Sequence, residues 1–128
     1  MAYGVIQFVE AGQRIATLVR TDGGEPTGEF GVMNVLAAFI EETAPRMLRQ
    51  GSPGGQYLAQ LFTAREVEAG RPIRVLGGAG ELGITPEEVK ALDGRGFFYD
   101  VVVGAEGDRS PPTIHMTPLS DPPRKDGA

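Results

Sequence analysis

RTDGGEPTGEFGVMNVLAAFIEE, residues 20–42, is a glycine-punctuated loop running into the most strongly periodic helix pattern of the chain. Val32, Val35, Leu36, Phe39 and Ile40 recur at i, i+3, i+4, i+7 and i+8, so their apolar side chains share one helical face. Such a face needs another layer to pack on, and the fold follows from what surrounds it. Upstream, Asp22, Gly23 and Gly24 turn through positive φ at little cost, Pro26 fixes one φ near about −65°, and Thr27 or Gly28 is the expected boundary of the helix. Free N–H groups at a helix start favour an anion, and Gly23, Gly24 and Gly28 would let one approach. The same glycines equally serve only to close a strand-to-helix turn, with Glu29 meeting the helix dipole.

On the N-terminal side, residues 4–10 and 14–20 are rich in Val, Ile, Phe, Thr and Leu and are separated by Ala11-Gly12-Gln13, the pattern of an antiparallel hairpin. On the C-terminal side, Pro45 interrupts the pattern and disfavours helical geometry at Ala44, residues 46–50 can add a skewed turn, and Gly51-Ser52-Pro53-Gly54-Gly55 reads as a loop. A second helix is expected over residues 56–69, with Tyr57, Leu58, Leu61 and Phe62 as its apolar stripe. Residues 71–76 read as a short strand. Thr85, Pro86 and Glu88 form a capping box for a short helix to about Leu92. FFYDVVV, residues 97–103, is apolar on both faces and reads as a strand inside a sheet, with residues 113–117 returning beside it. The expected fold is α+β: an antiparallel sheet of four to five strands with two main helices on one face, in a single domain over residues 1–117. Residues 118–128, PLSDPPRKDGA, read as a proline-rich tail with little to bury.

Composition narrows function by exclusion. A net charge of −5 disfavours a nucleic-acid backbone as the main partner. The absence of cysteine removes disulfides, thiolate nucleophiles and Cys-ligated metal sites together. No apolar run approaches the roughly 18 residues that span a bilayer, and the expected location is the cytoplasm. Nineteen glycines and ten prolines predict short elements joined by many turns.

No motif commits the chain to a reaction, and neither cofactor nor metal is expected. Gly78-Ala79-Gly80-Glu81-Leu82-Gly83 has the formal spacing of a dinucleotide loop, but the helix signal comes after its last glycine rather than inside it. His115 is the only histidine, which rules out two-histidine metal sites. Ser52, Ser110 and Ser120 lie in glycine- or proline-rich stretches without an elbow motif. Glu41-Glu42 and Glu87-Glu88 are adjacent helical residues that point about 100° apart, a solvated face rather than a two-carboxylate site. What remains is a candidate binding surface of Arg20, Asp22, Gly23, Gly24, Thr27, Gly28, Arg95 and Tyr99, with Asp100 beside them. Two guanidinium forks and backbone donors at one sheet end would suit an anionic ligand or an acidic partner segment. Structural salt bridges from Arg20 or Arg95 to Asp22 or Asp100 are the plainer alternative.

R-x-D-G-G-E-P-x-G followed by L-x-x-F-I, with the later G-R-G-F-F-Y-D-V-V-V, resembles a pattern in small uncharacterised proteins of bacteria and their phages. There, W-D-G-Y-P-x-x-x-G leads into a helix ending L-x-x-F-L. Asp22, Gly23, Pro26, Leu36 and Phe39 match, and Tyr99 answers to a later aromatic, while Thr21 and Glu25 stand where tryptophan and tyrosine are usual. The resemblance implies a small α+β domain and supplies no reaction. Residues and resemblance together lead to the expectation of a non-enzymatic domain that works by self-association or by binding a protein partner. The alternative is sequestration of an anionic, nucleotide-like small molecule at the glycine-rich loop.

Overall fold

In the computed structural model, which describes residues 2–20, 26–28, 31–71, 73–77 and 95–119, the hairpin strands come first, as β1 (Ala2–Glu10) and β2 (Gln13–Arg20). Helices α1 (Val32–Gln50) and α2 (Gly55–Glu68) follow, then β3 (Arg74–Gly77), β4 (Arg95–Val103) and β5 (Thr113–Leu119). The strands form one sheet in the order β3-β2-β1-β4-β5. The α+β class and the presence of two main helices are as the sequence predicts; β3 starts three residues later than expected, and β5 runs past the expected domain boundary to Leu119.

The sheet is mixed, which corrects the antiparallel expectation. β1 pairs antiparallel with β2, and β4 with β5, but β1 and β4 run parallel, from Ala2 opposite Arg95 to Glu10 opposite Val103. Alternating hydrophobicity tells which face a residue takes and says nothing about strand direction. Parallel neighbours require a long crossover, and here everything from β2 to β3 intervenes.

Both helices lie on one face. Ile6, Phe8, Ala16, Leu18, Phe97, Tyr99, Val101 and Val103 from the strands meet Val32, Val35, Leu36, Phe39 and Met47 of α1 and Leu58, Ala59 and Phe62 of α2. Phe62 is the joint: its ring centroid lies 6.2 Å from Phe8 on the sheet and 5.3 Å, edge-on, from Phe39 on α1. Ile40, the last member of the predicted stripe, is half-buried. Tyr57 leaves its stripe and is 43% exposed, with the Arg46 guanidinium 5.6 Å from its ring centre.

Helix α1 starts later and ends later than its sequence suggests. Its N-cap is Gly31 rather than Thr27 or Gly28, with the preceding turn closed by Gly31 N–H donating to the Gly28 carbonyl at 3.0 Å. At the other end the helix runs through Pro45 to Gln50. A proline inside a helix costs about 3 kcal/mol through its missing N–H and ring clash. Two features offset that cost. Pro45 and Glu41, whose carbonyl loses its donor, are exposed, so water reaches it. Beyond the proline Met47 is 1% exposed, and burying such a side chain contributes roughly 1.5–3 kcal/mol.

Two glycines fix how the helices meet the loops. At Gly51, φ is 85° and an added Cβ would run into the Gly107 backbone; Ser52 N–H donates to the Asp108 carbonyl (2.6 Å) and Gly107 N–H to the Ser52 carbonyl (2.9 Å). The α1–α2 loop is thereby stitched to the β4–β5 turn. At Gly55 a Cβ would collide with Ile15 Cδ1 and Val103 Cγ2, and its N–H donates to Glu10 Oε1 at 2.8 Å. The end of β1 thus supplies the negative charge that the α2 N-terminus favours.

Candidate functional site

β5, with the sequence TIHMTPL, closes one side of the sheet. By its register with β4, Ile114 and Met116 stand opposite Val101 and Tyr99 on the helix-covered face. Thr113, His115 and Thr117 stand opposite Val102, Asp100 and Phe98 on the other. Ile114 is half-buried, whereas Thr113, His115, Met116 and Thr117 are exposed, as is Val102 beside them at 38%. An edge strand offers a row of main-chain donors and acceptors to any other strand, and proteins usually blunt it with lysines, bulges or shortness. The opposite edge, β3, is blunted by its length of 4 residues. β5 has 7 residues and no lysine, arginine or carboxylate, and its one proline, which also blunts an edge, stands next to its end at Pro118.

A polar row crosses the face opposite α1 and α2, next to this edge. Arg14 on β2, Gln7 on β1, Asp100 on β4 and His115 on β5 fall side by side through the pairings of Gln7 with Asp100 and Asp100 with His115. The Gln7 amide has one orientation that satisfies both neighbours: its N–H donates to Asp100 Oδ1 at 3.0 Å while its oxygen accepts from Arg14 Nη1 at 3.1 Å. Burial among Val5, Val9 and Val102 pushes the Asp100 carboxyl above its usual range, while His115 and Arg14 pull it the other way. Its hydrogen bonds brace β2, β1 and β4, and it contains no serine, threonine or cysteine. Among the described residues no group of three or more His, Cys, Asp or Glu is placed to hold a metal. The sequence hints at the row only through single polar residues inside apolar strands, Gln7 in VIQFV and Asp100 in FYDVV. The registers that align them are not legible there.

The structure divides the residues singled out from sequence. Arg20 ends β2, is 4% exposed on the helix-covered face, and makes an interaction of its own there. Arg95 begins β4 at the same end of the sheet, since Gly4 pairs with both Arg20 and Phe97 while Ala2 pairs with Arg95. The register thus places these two positions at one end of the sheet. Tyr99 does not belong to a surface: it is fully buried, its ring 6.5 Å from that of Phe97, because an aromatic at that strand position faces the helices. Thr27 and Gly28 are exposed in the turn before α1, where Met33 N–H is already taken by the Pro26 carbonyl (3.2 Å) and the Gly28 carbonyl accepts from the Asn34 amide (2.6 Å). Asp22, Gly23 and Gly24 lie outside the described residues, as do the G-x-G-x-x-G run of residues 78–83, the capping box of 85–88, and tail residues 120–128.

An open cleft of ≈ 490 Å³ lies at the loop junction, lined by Arg46, Gln50, Ser52, Tyr57 and Glu106. Ser52 there is held by its own loop, its Oγ accepting from Gly54 N–H at 3.0 Å. Among the described residues no helix is long and apolar enough to cross a membrane. No known protein family, curated protein or solved structure matches the chain.

Proposed function

We propose that the protein is a non-enzymatic interaction domain that recruits a partner strand along β5, the partner being a copy of itself or another protein. The observation that carries this reading is the uncharged seven-residue edge, exposed at Thr113, His115, Met116 and Thr117 and backed by a rigid sheet. Adding a strand there pairs main-chain groups that water otherwise satisfies, and alternate side chains supply selectivity. The seven-residue backbone pairing of β5 with β4, itself tied to β1 through Asp100 and Gln7, supports the reading, since an edge already held in extended form needs little ordering on binding. A cytoplasmic setting, within a bacterial or phage assembly, accords with the sequence resemblance. The anionic-ligand alternative draws less support, because Arg20 and Tyr99 are buried and the turn before α1 satisfies several of its own polar groups.

The test is binding of a fluorescein-labelled six-residue peptide of alternating Thr and Val, followed by polarisation. Saturable binding is expected, with affinity falling at least about tenfold when Thr113→Lys and Met116→Lys are combined, since edge lysines oppose strand addition. Absence of binding by a protein that is also monomeric, or equal binding by the lysine variant, would overturn the reading.

A further inference from the structure

We propose that the strand β5 recruits is β5 of a second copy, laid antiparallel about a twofold axis through His115. The inference rests on the reading of β5 as a recruiting edge and names its partner. Residues 112–118 read Pro-Thr-Ile-His-Met-Thr-Pro, the same sequence of side-chain classes in both directions. Antiparallel pairing centred on His115 sets Thr113 against the partner's Thr117 and Ile114 against the partner's Met116, with the two imidazoles meeting at the axis. A twofold interface must be self-complementary in this sense.

Other registers are poorer. A shift of one residue on one copy turns its threonine face onto the other's Ile114 and Met116 face. Centring on Met116 sets Ile114 against the partner's Pro118, which has no N–H to give. Centring on Ile114 sets Met116 against the partner's Pro112, with the same loss. Only the His115 register puts both prolines at the ends of the paired segment, where they delimit it.

Side-chain placement agrees. Ile114 is half-buried at the rim of the core and Met116 is exposed on the same face, so their pairing across the axis extends the hydrophobic layer from one copy to the next. On the opposite face Thr113 and Thr117 are exposed and uncharged. The one carboxylate next to the axis, Asp100, stands on β4 and is already engaged by Gln7. No lysine, arginine or carboxylate lies on the paired strands, and the two His115 imidazoles are the one ionisable pair that meets.

The chain contains no cysteine, so introduced thiols report the register directly. His115→Cys at the axis is expected to form a disulfide-linked dimer on mild oxidation. Thr113→Cys alone is not, because its two copies would lie roughly 14 Å apart, well beyond disulfide reach. Mixing Thr113→Cys with Thr117→Cys chains should give at least about tenfold more linked dimer than either alone, which keeps the test independent of any change at His115. Light scattering of the parent should show a dimer that the Thr113→Lys, Met116→Lys variant loses. Self-linking of Thr113→Cys, or a dimer that survives the lysine pair, overturns the proposed register. A parent that stays monomeric while the Thr-Val peptide binds overturns the second copy as partner and leaves strand recruitment standing. A monomer that binds no peptide overturns both.

Discussion

Replacing Glu66 by glutamine tests which of two neighbouring ion pairs stabilises the helical layer. Glu66 is 1% exposed, and its carboxylate accepts two hydrogen bonds from the Arg71 guanidinium, at 2.9 and 3.0 Å, beyond the end of α2. Arg65 and Glu42 form an equally bidentate pair between α2 and α1, at 3.1 and 2.8 Å, but there Glu42 is 59% exposed. Both contacts favour the charged partners: the Glu42 carboxyl is held below its usual range by its hydrogen bond from Arg65, and Arg71 is raised by Glu66. Burial decides their worth. Glu66→Gln keeps the shape, removes the charge and turns an amide N–H toward a guanidinium. Breaking a fully buried pair costs roughly 3–5 kcal/mol, but Arg71 keeps 19% of its exposure and regains some hydration, so about 2–3 kcal/mol is expected. For a domain of this length that lowers Tm by about 8–12 °C. Glu42→Gln removes a solvent-screened pair and should cost within about 0.5 kcal/mol. Thermal melts followed by circular dichroism read both. A Glu66→Gln variant melting within about 2 °C of the parent, or a Glu42→Gln variant losing as much as Glu66→Gln, would refute the reasoning.

Other perturbations follow from the same packing. Phe62→Ala removes the ring that ties α1 and α2 to β1 and should cost about 3–5 kcal/mol in urea unfolding; a loss under about 1 kcal/mol would mean the site closes around the gap. Gly55→Ala drives a methyl into Ile15 and Val103 and should cost about 1–3 kcal/mol, whereas Gly12→Ala, at a turn with open space around it, should lose only the smaller strain of its positive φ. Asp100 titrates with a defined sign. Its pKa is raised in the fold, so its contribution is fully present below the unfolded-state value and is lost as pH rises through the folded one. Asp100→Asn, an uncharged acceptor for the Gln7 amide, should therefore be more stable than the parent near pH 7, with the gap closing toward about pH 3. A lower urea midpoint for the variant near pH 7 would show that Gln7, Arg14 and His115 outweigh burial.

Much of the architecture is written locally. Val32, Val35, Leu36 and Phe39 spell the helical period and all four are buried; VIQFV and FFYDVVV spell strands, with Ala11-Gly12 between the hairpin arms. What local pattern cannot hold is decided by tertiary contact. Pro45 signals a helix end, yet docking of Met47 carries α1 onward. Nothing in Glu66 marks it as buried until Arg71 folds back from the following turn. Strand direction in the β1–β4 pair is set by a crossover, not by alternation. The candidate surface fared similarly: the register set Arg20 and Arg95 at one sheet end, but the face of β4 buried Tyr99. In the sequence the exposed edge reads only as a returning strand, because neighbours on a sheet are chosen by the whole chain.

Amide hydrogen exchange along β5, measured at rising protein concentration and with added Thr-Val peptide, tests strand recruitment most directly. The outward amides of residues 113–117 are predicted to exchange fast in dilute Thr113→Lys, Met116→Lys protein and to slow in the parent as concentration or peptide rises. Outward amides that exchange at one unchanging rate in parent and variant alike, at every concentration and with saturating peptide, would contradict the account.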